Sequence, residues 1–282
     1  MAHELQRLAA SAWGVPHLIT QEALSPILEY LSSRNNGVSP VFAVVQDSKH
    51  APKKAEKIGG VGEILIDGAL TAKPIKAECS PEGVSYASIL SEARDLIKMG
   101  VDTIVLTHSS PGGEAMHAFS CAATLRAMCD EAGVELISYV DTYSASASYL
   151  IACVADMVVM HPEAKVGSIG CVCAVADSSK ALDMAGVKIH YIASTPGKTP
   201  FKNDGSFSDK FLEDMQADVT RLGNNFAAHV QTHTGISLKE IADMDAKMFH
   251  ADEALQNGLA NAVMDHTEFA NWLADKKGKK NA

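Results

Sequence analysis

Between Gly59 and Met160 the chain repeats one pattern: a short apolar run, a turn, then apolar residues at helical spacing. The apolar runs are 61–66, 103–106, 134–140 and 157–160. Runs this short and rich in Val and Ile read as buried strands. Residues 85–99, 115–132 and 149–155 carry the helical period, and Gly100 and Gly133 follow two of them as stop signals. Strands alternating with helices leave few folds open. The helices must pack on a sheet of mainly parallel strands, which is the α/β class. In such sheets ligands bind at the carboxyl ends of strands, where the small-residue turns fall.

Three of those turns carry residues that chemistry uses. Asp141-Thr142-Tyr143-Ser144-Ala145-Ser146-Ala147-Ser148 joins a strand to an apolar helix. A serine on an abrupt strand-to-helix turn is a candidate nucleophile. The plain alternative is a Ser/Ala-rich helix start in which Ser144 caps. Ser110-Pro111-Gly112-Gly113 offers N–H groups with no side chain in the way, as an oxyanion needs, or is an ordinary turn. Gly167-Ser168-Ile169-Gly170 is a third small-residue turn, or a bend in a loop.

Serine hydrolysis also needs a base. His161 and His108 each follow a strand, and each also reads as a strand-end polar residue. Lysine serves as a base where its surroundings lower its pKa. Lys198 and Lys202 lie in the polar segment 195–205, where a solvated loop lysine is the plain reading.

The flanks differ from this middle. Residues 1–55 read as an N-terminal extension. It holds a helix starting at Thr20 and reaching Leu31, a loop at 32–37, a short strand at 41–45 and a charged stretch at 47–57. Residues 68–82 are an irregular insertion. After 157–160, strands are expected at 171–176 and 187–192, with a short helix at 178–185 between them. A long amphipathic helix at 208–233 carries Phe211, Met215, Val219, Leu222, Phe226 and Val230 on one face. That face suits core packing or an oligomer contact equally. Short helices at 236–244 and 252–257 and a strand at 260–264 follow. The main domain is set at 56–270, and 271–282 is read as a frayed basic tail, with Lys276, Lys277, Lys279 and Lys280.

Composition excludes several classes. With 24 Lys and Arg against 34 Asp and Glu, the net charge is −10, so nucleic-acid binding has no general support. The six cysteines show no CxxC pair or metal-ligand spacing, which points to reduced thiols in a cytosolic protein. The N-terminus lacks a signal-peptide pattern, and no apolar run reaches membrane-spanning length.

Four segments in order resemble the signal peptide peptidase A-type serine proteases, which share the Clp protease/crotonase fold. Ser110-Pro111-Gly112-Gly113 resembles that family's Ser-Pro-Gly-Gly turn. Residues 145–152, Ala-Ser-Ala-Ser-Tyr-Leu-Ile-Ala, resemble its nucleophile segment, and 166–170 its Gly-Ser-Ile-Gly turn. Phe201-Lys202-Asn203-Asp204-Gly205 resembles the lysine motif in the Lys-x-Asp-Gly form of phage capsid-maturation members. The resemblance spans about Gly59 to Val263. It implies repeated ββα units with a C-terminal helical segment.

By the same resemblance, Ser146 is the nucleophile and Lys202 the base of a Ser-Lys dyad. Ser168 orients the lysine. The N–H groups of Gly113 and Ala147 hold the oxyanion, and Gly112 shapes the turn. Two departures stand out: Ala147-Ser148 replace a common Gly-Gly, and spacing from Ser146 favours Lys198 where the local motif favours Lys202. A serine at 168 counts against a Ser-His-Asp triad. Without an anchor segment, the chain is expected to act as a phage capsid-maturation protease. Its substrates would be scaffold, coat or portal proteins and the protease itself, in the host cytoplasm or procapsid interior. Scaffold would then be a separate product or lost by processing. The alternatives are a soluble bacterial peptidase in the cytoplasm, a crotonase-type acyl-CoA enzyme or an inactive assembly protein. The resemblance implies a homo-oligomer, no metal, no organic cofactor, no nucleic acid and no membrane contact.

Overall fold

The computed structural model describes residues 14–21, 23–25, 57–58, 60–73 and 84–280. Most of the 1–55 extension, including the expected helix end, loop and strand at 41–45, lies outside the described residues. So do most of the 68–82 insertion and Cys79.

β1 (His17–Ile19) runs into a helical turn begun by Thr20, as the sequence predicts. The Ala23 N–H donates to Thr20 Oγ1 at 3.4 Å, and the Leu24 N–H to the Thr20 carbonyl at 3.0 Å. β2 (Lys57–Ile58) pairs antiparallel with β3 (Val61–Asp67) around Gly60, whose φ is 85°. β3 alternates: Gly62, Ile64 and Ile66 are buried, while Glu63, Leu65 and Asp67 face out.

α1 (Tyr86–Lys98) starts at a reciprocal capping box between Ser85 and Ser88. It returns the chain to β4 (Thr103–Ser110), parallel to β3. β5 (Gly112–Glu114) follows the proline turn, and α2 (Ala118–Ala132) ends at Gly133, φ 64°. β6 (Glu135–Ala145) lies parallel to β4, then α3 (Ala147–Ala152) leads to β7 (Met157–Met160), parallel to β6. β8 (Lys165–Gly167) pairs with the far end of β6.

Beyond this, α4 (Ser179–Met184) and a 3-10 turn at Pro196–Lys198 precede α5 (Asp209–Thr234), which is capped by Ser208. α6 (Leu238–Asp243), β9 (Met248–His250), α7 (Ala251–Gln256), β10 (Ala262–Val263) and α8 (His266–Lys280) complete the described chain. The main sheet runs β10-β7-β6-β4-β3-β2, with β8 on β6 and β9 on β8. This is the α/β architecture of repeated strand–helix units expected from the sequence.

The principal core lies between the sheet and α1, α2, α3 and part of α5. Ile64, Ile66, Leu96, Ile104, Leu106, Leu125, Leu136 and Leu150 are all fully buried there. The opposite sheet face buries Val105, Ile137, Tyr139 and Val159 under α8. Phe269 stacks on Tyr139 at 4.3 Å, and Lys276 pairs with Glu135 and lies 4.7 Å above Trp272.

Four expectations need correction. Residues 271–280 are a helix continuous with 266–270, because its apolar side has a sheet face to cover. Residues 171–176 make no strand, only a single bridge from Val172 to His17. Residues 187–192 form no regular element, with Val187 and Ile192 exposed. Both segments have apolar content, but among the described residues no strand pairs with 187–192. The serine stretch 141–145, read as a turn, is the end of β6.

α5 is two-sided along its length. Phe226 and Val230 are fully buried, while Phe211, Met215 and Val219 are only half-buried. Phe226→Ala is expected to lower the unfolding free energy by about 3–5 kcal/mol through an unfilled cavity. Met215→Ala should lower it by about 1 kcal/mol or less. Urea unfolding of the two variants checks the contrast, and equal losses would contradict it.

Candidate active site

Strand register brings the three turns together. Ser110 pairs with Ser144 across β4 and β6, and Ala145 pairs with Gly167 across β6 and β8. The residues that follow these strands therefore share one end of the sheet. Ser146 sits between β6 and α3 with φ 54° and ψ −116°. A non-glycine residue in that region stores about 1–3 kcal/mol of strain. Both its backbone groups are held: its N–H donates to the Gly167 carbonyl at 2.8 Å, and its carbonyl accepts from the Leu150 N–H at 2.9 Å.

The Ser146 side chain is 1% exposed, and its Oγ has no hydrogen-bond partner among the described residues. Buried hydroxyls are nearly always paired, so this one marks a group left open for something else.

The glycine turn is built against this elbow. A Cβ on Gly112 (φ 94°) would lie 2.9 Å from the Ala145 carbonyl oxygen and 3.0 Å from the Ala147 nitrogen. A Cβ on Gly113 would lie 1.9 Å from the Leu70 carbonyl oxygen. No other residue fits either position. Ser110 ties the turn down: its Oγ donates to the Gly68 carbonyl at 2.6 Å and accepts from the Gly112 N–H at 3.3 Å. Gly112, Gly113 and Ala147 thus gather beside Ser146. Ser168 is there too, half-buried, at φ 54°, its N–H donating to the Lys247 carbonyl at 2.9 Å.

Neither candidate lysine joins them within one chain. Lys202 is 46% exposed at its side chain, and Nζ donates to Asp209 Oδ1 at 2.9 Å. The Asp209 carboxylate, by hydrogen bond and charge, raises the lysine pKa above its ordinary value. The Lys-x-Asp-Gly motif has a local role as well. Asp204 accepts from the Ser206 N–H and Oγ, Gly205 takes φ 85°, and the turn closes a bridge between Phe201 and Phe207. Lys198 is exposed in the 3-10 turn.

Sequence reading missed a buried network behind the elbow. His108 is fully buried on β4. Its Nδ1 lies 2.9 Å from Ser148 Oγ and 3.4 Å from Ser144 Oγ, and its Nε2 lies 3.3 Å from Ser138 Oγ. Ser138 Oγ in turn donates to the Ala152 carbonyl at 3.1 Å. Burial lowers the imidazole pKa to about 3, so His108 is neutral. The signal was the run of serines at 138, 144 and 148, on a strand and the helix that follows it, beside the strand that carries His108. No hydrogen bond joins His108 to Ser146. His161 lies elsewhere, in a shallow cavity of about 290 Å³ with Asp141, Thr142, Glu163 and His266. No cluster of metal-ligating side chains occurs among the described residues.

The model of peptidase family S49 matches residues 129–280, more than half of the chain. The chain belongs to peptidase family S49. The matched span contains Ser146, Ser168, Lys198 and Lys202. Capsid assembly protease C of Escherichia phage lambda is 24% identical over 81% of this chain and 52% of its own length. The probable protease SohB of Haemophilus influenzae is 26% identical over 64% of this chain and 52% of its own. The chain therefore spans about half the length of these curated relatives. Among solved structures, a ClpP1 mutant from Listeria monocytogenes overlaps with a TM-score of 0.46 at 14% identity, covering 72% of this chain and 91% of that one. No helix of the described S49 chain is long and apolar enough to cross a membrane.

The neutral, buried His108 gives a pH signature. Its folded pKa lies below that of the unfolded imidazole, so the unfolded chain binds the extra proton as pH falls. Stability is intact above about pH 6.5 and declines below it toward pH 3, by about 1.4 kcal/mol per unit from this group. Urea unfolding at pH 7 and pH 5 measures the decline. His108→Gln should flatten that slope, and an unchanged slope would contradict the assignment.

Proposed function

We propose that this chain is a serine endopeptidase in which Ser146 is the nucleophile and Lys202 the general base. The observation that carries the reading is Ser146 itself: strained, buried, its Oγ without a hydrogen-bond partner among the described residues, and flanked by glycine backbone. Neutral Lys202 takes the hydroxyl proton as Oγ adds to a peptide carbonyl carbon. The oxyanion is held by the N–H groups of Gly113 and Ala147. The carbon–nitrogen bond breaks as the lysine returns the proton to the leaving amine. Water, deprotonated by the same lysine, then hydrolyses the ester and frees Ser146. Ser168 orients the lysine.

The lysine must lose Asp209 and enter a drier place to be neutral at ordinary pH. We infer that a homo-oligomer supplies that change. Two features favour it: Met184 and Ile192 are exposed at 82% and 99%, and the apolar side of the first half of α5 is only half-covered. Assembly would bury the segment that carries Lys202. The names of the relatives point to capsid assembly, so scaffold, coat or portal proteins of a phage particle are the proposed substrates, cut in the host cytoplasm or procapsid. The relatives called SohB favour a second reading, a bacterial peptidase outside any capsid. An acyl-CoA enzyme on the same fold would have no use for the Ser146 hydroxyl.

Intact mass of a coat or scaffold protein incubated with the chain tests this. Ser146→Ala and Lys202→Ala are each expected to slow fragment formation by about 10⁴-fold or more. Lys198→Ala should stay within about threefold of the parent. Unimpaired cleavage by Ser146→Ala would remove the nucleophile assignment, and the reverse order of the two lysines would exchange their roles.

A further inference from the structure

Resting on the reading of Ser146 as nucleophile, we propose that residues 14–20 are an internal peptide lying in the substrate groove, so that the chain blocks its own site. The segment sits between two backbone edges. On one side β1 pairs antiparallel with β5, His17 opposite Glu114, Leu18 opposite Gly113 and Ile19 opposite Gly112. On the other, the His17 N–H donates to the Val172 carbonyl at 2.7 Å, the Val172 N–H to the His17 carbonyl at 2.9 Å, and the Gly14 N–H to the Ala174 carbonyl at 2.9 Å. The first edge follows the Ser110-Pro111 turn and the second follows Ser168. β1 takes no part in the main sheet. An extended peptide held by main-chain bonds to flanking strand edges is how proteins bind peptides by strand addition.

The register identifies which carbonyl faces the nucleophile. The Ala115 N–H donates to the Pro16 carbonyl at 3.3 Å, and the Thr20 N–H to the Pro111 carbonyl at 3.0 Å. In an antiparallel ladder, hydrogen-bonded pairs recur at every second residue. Leu18 and Gly113 are therefore the hydrogen-bonded pair between them, and the Leu18 carbonyl faces the Gly113 N–H. The same oxygen would lie 2.2 Å from a Cβ on Gly112, a point itself 3.0 Å from the Ala147 nitrogen. One carbonyl thus faces the Gly113 amide and lies on the Ala147 side of the glycine turn, where the reacting carbonyl of a substrate would sit. In this register Leu18–Ile19 is the bond presented to Ser146. The Leu18 side chain is fully buried in the principal core, so the groove takes an extended peptide with an aliphatic residue at that position. β1 also helps explain why Ser146, next to the groove, is only 1% exposed.

The test uses the full chain and a fluorescent peptide with the sequence of residues 14–21, Gly-Val-Pro-His-Leu-Ile-Thr-Gln. Binding is read by anisotropy in the Ser146→Ala background, where no turnover occurs. Adding Leu18→Asp, which cannot keep its carboxylate in an apolar pocket, is expected to free the groove and tighten peptide binding at least threefold. The same peptide with aspartate in place of leucine should bind at least threefold more weakly. A gain below threefold, or equal binding of the two peptides, overturns the proposal. Thermal unfolding confirms the fold of the variant. Should Leu18→Asp not fold, His17→Pro, which removes the N–H given to Val172, takes its place under the same criteria. If neither variant folds, β1 is a structural strand of the domain and the proposal falls. Binding is read without catalysis, so these outcomes are separate from failure of the peptidase reading, which shows as undiminished hydrolysis by Ser146→Ala.

Discussion

The backbone of Ser146 is the constraint on which the site depends. A serine at φ 54° and ψ −116° does not hold that conformation unaided. It is held by a carbonyl from β8 below and an amide from α3 above. Those bonds exist only because β6 runs between β4 and β8 in parallel register. The sheet order is thus the reason the glycine turn, the elbow and the Ser168 turn meet. It also explains why Gly112 and Gly113 have no substitute: the elbow and Leu70 press backbone atoms into the space a side chain would need. Behind the elbow, the neutral His108 and its three serine neighbours fill a polar pocket and fasten β4, β6 and α3 together. Their contribution is to hold the elbow that carries Ser146, the proposed nucleophile, since no hydrogen bond joins His108 to it.

Much of this was legible in the sequence, and what was not follows a rule. Local signals were read correctly: the Thr20 cap, the glycine stops at 100 and 133, and the start of the long helix near Ser208. Motif order placed Ser146, Ser168, Gly112 and Gly113 at one end of the sheet. Failures came where partners decide. Residues 171–176 and 187–192 have strand-like content, yet a strand requires an edge to pair with, and sequence periodicity does not supply one. Residues 271–282 were read as a tail on the strength of their lysines, although Trp272 and Leu273 join Phe269 in covering the second face of the sheet. His108 was weighed as a base, when its burial among hydroxyl groups makes it a neutral structural group.

The lysine question is one of protonation before it is one of distance. An exposed ammonium paired with Asp209 is stabilised in its charged form, the wrong form for a base. The motif around Lys202 builds a tight turn through Asp204 and Gly205, so the motif match and the catalytic role are separable claims. Lys198 lacks that turn but sits nearer the spacing expected from Ser146. A base on a solvent-facing segment becomes competent only when that segment is covered. Exposed Met184 and Ile192 on the same stretch provide apolar surface for such a cover.

An occupied groove and a protonated lysine would describe one state of the molecule. In it, a peptide carbonyl already faces the Gly113 amide while the proton acceptor is held elsewhere, so a bound peptide and an intact bond coexist. The two blocks differ physically. The strand is held by main-chain bonds and the buried side chains of His17, Leu18 and Ile19, and it would give way only to a competing peptide with the same features. The lysine is held by a solvent-screened ion pair, which contributes little to stability and yields once assembly changes its surroundings. Covering the lysine segment would therefore arm the nucleophile against whatever peptide lies in the groove, and the first such peptide is the chain's own.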